Sequence, residues 1–199
     1  TDAWHPGEIN LKYMAELLGV KIKIGGLWHA GSYDNFDFLG RLIGNAGWVR
    51  HAEKSFFFSF DHNYFATDFH VDMFIQNEFN RDNQNVVVKE WVDRSKIVRT
   101  GWPMAYMPDT LKDYTNLPKR NLILFPHRIA PEKQVEIFRD LEKSLPQYEF
   151  VVCQDKSLTK HEYHTLLGQA KMIFSCSLQE TLGISTGIEG PTVGAIPFV

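Results

Sequence analysis

From position 121 onward short apolar runs alternate with helix-length stretches, and no other feature of this chain restricts its fold so strongly. The runs at 121–125, 149–153 and 172–175 read as strands, the segments 132–145 and 160–170 carry helical spacing, and a further helix is expected after Gly183. Strands separated by helices of about 10–15 residues build parallel βαβ units, so this half is predicted to be a Rossmann-like α/β domain. Ligands of open parallel sheets bind beyond the carboxyl ends of the strands. The residues expected there are His127 and Arg128 after the first strand and Ser175 to Glu180 after the third.

The first half repeats the rhythm less cleanly. Segment 8–18 places Leu11, Met14, Leu17 and Leu18 at helical spacing, with Gly19 in the expected closing position. Segment 20–27 alternates as a strand and delivers Trp28, His29, Gly31, Tyr33 and Asp34 into a loop, after which 36–43 is helical again. Segment 55–60, with its three consecutive phenylalanines, is predicted to be a buried strand, and 63–77 a helix with Phe65, Phe69, Met73 and Phe74 on one stripe. Further extended segments are expected at 86–92 and 96–100. The polar stretch from Met107 to Arg120, marked by Pro108 and Pro118, has the composition of an interdomain connection. A boundary near 110–118 follows, giving domains 1–110 and 111–199. The chain starts without Met and stops where a strand should turn into another helix, so an internal fragment with both domains incomplete is expected.

Composition narrows the function classes. A 199-residue chain with 44% hydrophobic and 14% aromatic residues has material for one large or two small cores. A formal net charge of −3 carries no basic footprint, against a protein that holds nucleic acid mainly by neutralising phosphates. Cys153 and Cys176 each lie in an apolar run and read as reduced core thiols, and no stretch approaches the ~18 apolar residues of a membrane span. A cytoplasmic protein without a transmembrane segment is expected. Eight histidines invite a metal reading, but His161 and His164 stand three apart, and His62 and His70 form no recognised ligand set, so no metal site is predicted. No Gly-rich dinucleotide loop or Walker sequence occurs.

The candidate chemistry gathers in the second half. A strand ending in Ser175 and Ser177 is followed by Glu180, and Thr181-Leu182-Gly183 then feeds a helix whose free N–H groups and dipole suit a diphosphate. Arg128 and Lys133 supply two cations beside a predicted helix start, a planar fork and a point charge, able to stabilise the negative charge of a departing diphosphate without a metal.

The set Phe125-Pro126-His127-Arg128, Glu132-Lys133, Ser177-Leu178-Gln179-Glu180-Thr181-Leu182-Gly183, Glu189 and Gly194-Ala195-Ile196-Pro197 resembles the C-terminal donor-binding domain of GT-B glycosyltransferases, the retaining family 4 type above all. The resemblance covers 121–199 and extends to the first half only loosely. It implies an α/β, GT-B-like fold, two Rossmann-like domains facing each other across a cleft. It also implies transfer of a hexose from a nucleoside-diphosphate sugar to an acceptor hydroxyl, with retention and without a metal or other cofactor. UDP-glucose is the base-rate donor. In that reading His29, Arg128, Lys133 and Glu180 are catalytic, with Glu180 on the donor sugar. His127, Ser177, Thr181, Leu182, Gly183 and Glu189 bind the donor, Glu189 through the ribose hydroxyls. Gly31, Tyr33 and Asp34 stand on the acceptor side. The acceptor itself, glycan, lipid, protein or modified nucleobase, is left open.

One departure from the family pattern stands out. Eight residues separate Glu180 from Glu189 where seven are usual, and at about 100° per residue a regular helix then turns Glu189 away. A bulged turn near Gly187 absorbs the extra residue; without it, a donor-binding module lacking transfer is the alternative. A nucleotide-sugar epimerase or phosphorylase on the same fold, and a histidine-based metal hydrolase, are the other rivals.

Overall fold

The computed structural model describes residues 1–29, 31–79, 92–102 and 104–199. The chain forms two compact units, Thr1–Trp102 and Pro103–Val199, so the division falls ahead of the proline-marked stretch. That stretch is ordered secondary structure rather than connection: α5 (Met107–Leu111) and a 3-10 turn (Lys112–Tyr114) bury Met107 and Leu111 in the second unit.

In the first unit α1 (Gly7–Leu17), β1 (Gly25–Leu27), α2 (Phe38–Ile43), α3 (Gly47–Ser59), β2 (His62–Phe65), α4 (Asp68–Phe79) and β3 (Ile97–Arg99) follow in order. The three strands form a parallel sheet in the order β1-β2-β3. Helix α1 ends as predicted, with Gly19 at φ +63°, but it buries Glu8 and Ala15 and leaves Leu11, Met14, Leu17 and Leu18 exposed. Strand β1 is shorter than the alternation at 20–27 suggests. Its partner begins only at His62, and Asp61 ends the pairing by accepting from the Ile24 N–H at 2.7 Å.

The phenylalanine run is helical, not a strand. It is the last turns of α3, whose buried residues Val49, Glu53, Phe56 and Phe57 fall at helical spacing while Phe58 faces outward. A short apolar run does not reveal its own period, and here the preceding turns decide it. The helix predicted at 63–77 is correspondingly a strand followed by α4, with Phe65 in the sheet and Phe69 exposed. The extended segment at 96–100 is β3, and all of the one at 86–92 except Val92 lies outside the described residues.

The core of this unit is aromatic. Trp28 is fully buried, stacks on Phe65 at 5.9 Å and meets Phe74 at 4.6 Å, and its indole N–H donates to Asn63 Oδ1 at 2.8 Å. Beside it lie two buried acids. Glu53 accepts from the Trp4 indole at 2.9 Å, from the Ser32 backbone at 2.7 Å and from the Ser32 hydroxyl at 2.5 Å. Glu78 is pushed up to about 9 by burial and by the charge of Glu53, so it keeps its proton at neutral pH and donates it to Glu53.

The second unit follows the predicted alternation closely. After α5 come β4 (Leu122–Phe125), α6 (Val135–Ser144), β5 (Glu149–Val152), α7 (Lys160–Gln169), β6 (Met172–Phe174), α8 (Gly190–Thr192) and β7 (Ile196–Phe198). The four strands are parallel, in the order β5-β4-β6-β7. Strand β4 is buried at all four positions, the pattern of a central parallel strand covered on both faces. Helix α7 starts at a capping box in which Thr159 and Glu162 satisfy each other's backbone N–H groups. Among the described residues no helix is long and apolar enough to cross a membrane.

Candidate functional site

The strand order creates a switch point in the second unit. From β4 the chain moves to β5 on one side, then returns across β4 to β6 on the other. The switch falls between β4 and β6, and beyond the carboxyl ends of strands at such a point open α/β sheets bind ligands. The β4 loop carries His127, Arg128 and Lys133, and the β6 loop carries Ser175, Ser177 and Glu180.

Four of the predicted residues meet at one carboxylate oxygen. Lys133 Nζ donates to Glu180 Oε1 at 2.6 Å, Ser177 Oγ donates to the same oxygen at 2.8 Å, and His127 Nδ1 lies 3.7 Å from it. Burial opposes ionisation of Glu180, but the Lys133 and Ser177 hydrogen bonds, with the Lys133 charge, outweigh it and hold the carboxyl below its ordinary range. Burial pushes His127 down, Glu180 opposes and Lys133 reinforces, so the imidazole is neutral at pH 7. Its Nε2 is buried without a hydrogen-bond partner.

Lys133 is not on the helix where the spacing predicts it. It ends a 3-10 turn (Pro131–Lys133), and Gln134, at φ +50°, breaks that turn from α6. A left-handed non-glycine residue carries backbone strain of about 1 kcal/mol. The Cys176 thiol braces the break by donating to the Lys133 and Gln134 carbonyls at 3.3 and 3.1 Å.

Arg128 is half exposed and donates to Glu132 Oε1 at 2.8 Å. Glu132 is a residue that sequence reasoning used only as part of a motif. It is 3% exposed, and its carbonyl also accepts from Leu178 N at 2.9 Å, tying the two loops together. Beside Arg128 opens a cavity of about 290 Å³ whose walls include Pro126, His127, Gln154, Lys156 and Tyr163. Gln154 fixes the wall by accepting from the Ile129 N–H.

Thr181 and Leu182 form the bend ahead of Gly183, which sits at φ +57° where a Cβ would be strained. The helix that follows is not regular. Ser185–Glu189 is a π-helical turn, closed by Gly190 N donating to Ser185 O, before one α turn at α8. An i to i−5 bond takes up one more residue than an α turn, so the eight-residue spacing is accommodated as the expected bulge near Gly187. Glu189 then lies against α7, where Tyr163 Oη donates to its Oε2 at 2.7 Å.

The turn packs tightly on the sheet at Gly190, where a Cβ would stand 2.0 Å from Cδ1 of the fully buried Ile173 in β6. Gly190→Ala is expected to lower stability by about 2 kcal/mol, because overpacking forces either β6 or the π turn to move. Urea unfolding of both proteins measures it, and equal midpoints would show that the contact relaxes freely.

The first-unit candidates fare differently. His29 follows β1, is about half exposed and lies 3.7 Å from Asp2 Oδ2. Gly31 is closely packed, a Cβ there meeting the Tyr33 ring at 2.1 Å and Glu53 Oε1 at 2.8 Å. Asp34 is largely buried and accepts from Phe36 N at 2.8 Å, a local turn leading into α2. Tyr33 is not an acceptor-side surface residue. It is 1% exposed, stacks on His70 and shares a 2.6 Å hydrogen bond with His70 Nε2. Burial brings His70 down to about 4, a neutral core imidazole. His161 pairs instead with the Tyr114 hydroxyl at 2.8 Å.

No protein-family model matches this chain, and no curated protein matches it either.

Proposed function

We propose that the second unit is the donor-binding half of a GT-B-type retaining glycosyltransferase, similar to family 4, acting without a metal on a nucleoside-diphosphate sugar. The convergence of Lys133, Ser177 and His127 on Glu180 at the β4–β6 switch point carries this reading. An ionised carboxylate has about four acceptor sites, and those beyond Lys133 and Ser177 suit adjacent sugar hydroxyls. Lys133 and Arg128 face the diphosphate. Both keep further donors beyond the one each gives to an acid, and together they stabilise the charge that develops as the sugar–phosphate bond breaks. The nucleoside occupies the cavity beside Arg128, with Glu189 toward the ribose.

Retention follows from attack on the face the diphosphate leaves, with the departing phosphate taking the acceptor's proton. The acceptor class stays open, and UDP-glucose is the first donor to try. A reducing, cytoplasmic setting belongs to the same reading, since Cys153 and Cys176 are free thiols and burial pushes Cys153 up to about 12.

Calorimetric titration with UDP-glucose and GDP-mannose in EDTA, beside Arg128→Ala and Glu180→Ala, tests the proposal. Binding by wild type that is lost in both folded variants is the expected result. Binding that needs added metal, or that ignores both substitutions, would overturn it.

A further inference from the structure

Tyr163 belongs to none of the motifs above, yet it occupies two positions at once. It forms part of the cavity wall with Arg128 and Gln154, and its hydroxyl donates to Glu189 Oε2 at 2.7 Å. The Ser185 side chain hydrogen-bonds the same phenol. Ser185 and Glu189 are the first and last residues of the π turn, so one side chain from α7 holds both ends of the irregular segment. Burial, followed by the charge of Glu189, pushes the phenol well above its ordinary range and keeps it a donor.

We infer that Tyr163 is a positioning residue that staples the π turn and aims the Glu189 carboxylate at a vicinal diol, making the site selective for ribonucleotides over 2′-deoxyribonucleotides. The inference rests on the donor-binding reading above. A π turn places Glu189 differently from a regular helix, and a free glutamate there samples several rotamers. One hydrogen bond from Tyr163 fixes the carboxylate and consumes one of its acceptor sites, leaving the others for the two ribose hydroxyls. Fixing a group before binding raises affinity by removing the ordering step. A ligand that lacks one hydroxyl leaves the held carboxylate without a partner, and that loss is the source of discrimination.

The test is titration of wild type and Tyr163→Phe with UDP and GDP, each beside its 2′-deoxy form, in EDTA. Wild type is expected to prefer the ribonucleotide about tenfold. Tyr163→Phe is expected to bring that ratio close to one while changing deoxynucleotide affinity less than about twofold. A merely structural role would weaken both ligands equally and leave the ratio intact, which overturns the inference. Wild type binding neither nucleotide overturns the donor-site reading itself. Wild-type binding with an unchanged ratio in Tyr163→Phe overturns the role of Tyr163 alone. Thermal melting checks each fold. If Tyr163→Phe melts below the titration temperature, Ser185→Ala, which keeps the phenol in place, is expected to reduce the ratio about threefold, and an unchanged ratio there is equally contrary.

Discussion

Lys133→Met is expected to weaken UDP-glucose binding by about two orders of magnitude and to leave the fold intact. Lys133 is only 13% exposed on its side chain, and it serves two anions, Glu180 at 2.6 Å and the proposed diphosphate. A hydrogen bond between charged groups contributes about 1.5–3 kcal/mol, and methionine keeps the stem while removing the charge. The same substitution changes Glu180. Its folded-state pKa is held low, so it contributes stability that is present above the unfolded value of about 4.3 and lost as pH falls through the folded one. Without Lys133 that contribution shrinks, because burial then acts with less opposition. Calorimetry gives the affinity, and melting between pH 4 and 7 gives the linkage. Near-native affinity in the methionine protein would remove Lys133 from the site.

The second large effect concerns the other unit. Glu78→Gln is expected to raise its melting temperature at pH 8 by about 5 °C or more and to flatten its dependence on pH. The sign follows from the raised pKa. Glu78 titrates near 9 when folded and near 4.3 when unfolded, so its contribution is fully present below the lower value and is lost progressively as pH rises toward the upper. The slope for one proton is about 1.4 kcal/mol per pH unit. Glutamine supplies an uncharged donor to Glu53 at every pH and so removes the term. Melting curves from pH 5 to 9 decide the matter, and parallel curves for the two proteins would contradict a proton held between the acids.

The second unit was legible because its periods are unambiguous. Strand β4 is short, apolar throughout and bounded by Asn121 and Pro126, and α6 and α7 are long enough to show their spacing. The cluster at Glu180 was legible for the same reason, since its members lie just past strand ends. The first unit was harder to read. Phe56, Phe57 and Phe58 carry no period of their own, and the sheet is so short that β1 keeps only three residues of an eight-residue alternation. Tyr33 looked like a loop residue because nothing nearby in sequence announces His70, thirty-seven positions away. Tyr163 and Glu132 act through partners on other elements, and a linear motif does not encode such pairs.

The strand order has a consequence for how this molecule acquires its site. Among the described residues no pair of strands in the second unit is joined by a hairpin, and β4, at its centre, is separated along the chain from its neighbour β6 by α6, β5 and α7. Closing contacts of such sequence separation costs loop entropy before they reward it, which slows them. His127 and Lys133 reach Glu180 only through the pairing of β4 with β6, so the cluster requires that long-range contact. Recovery of nucleotide binding during refolding should thus lag recovery of helix and coincide with completion of the sheet, so that ligand capture times the last step of folding.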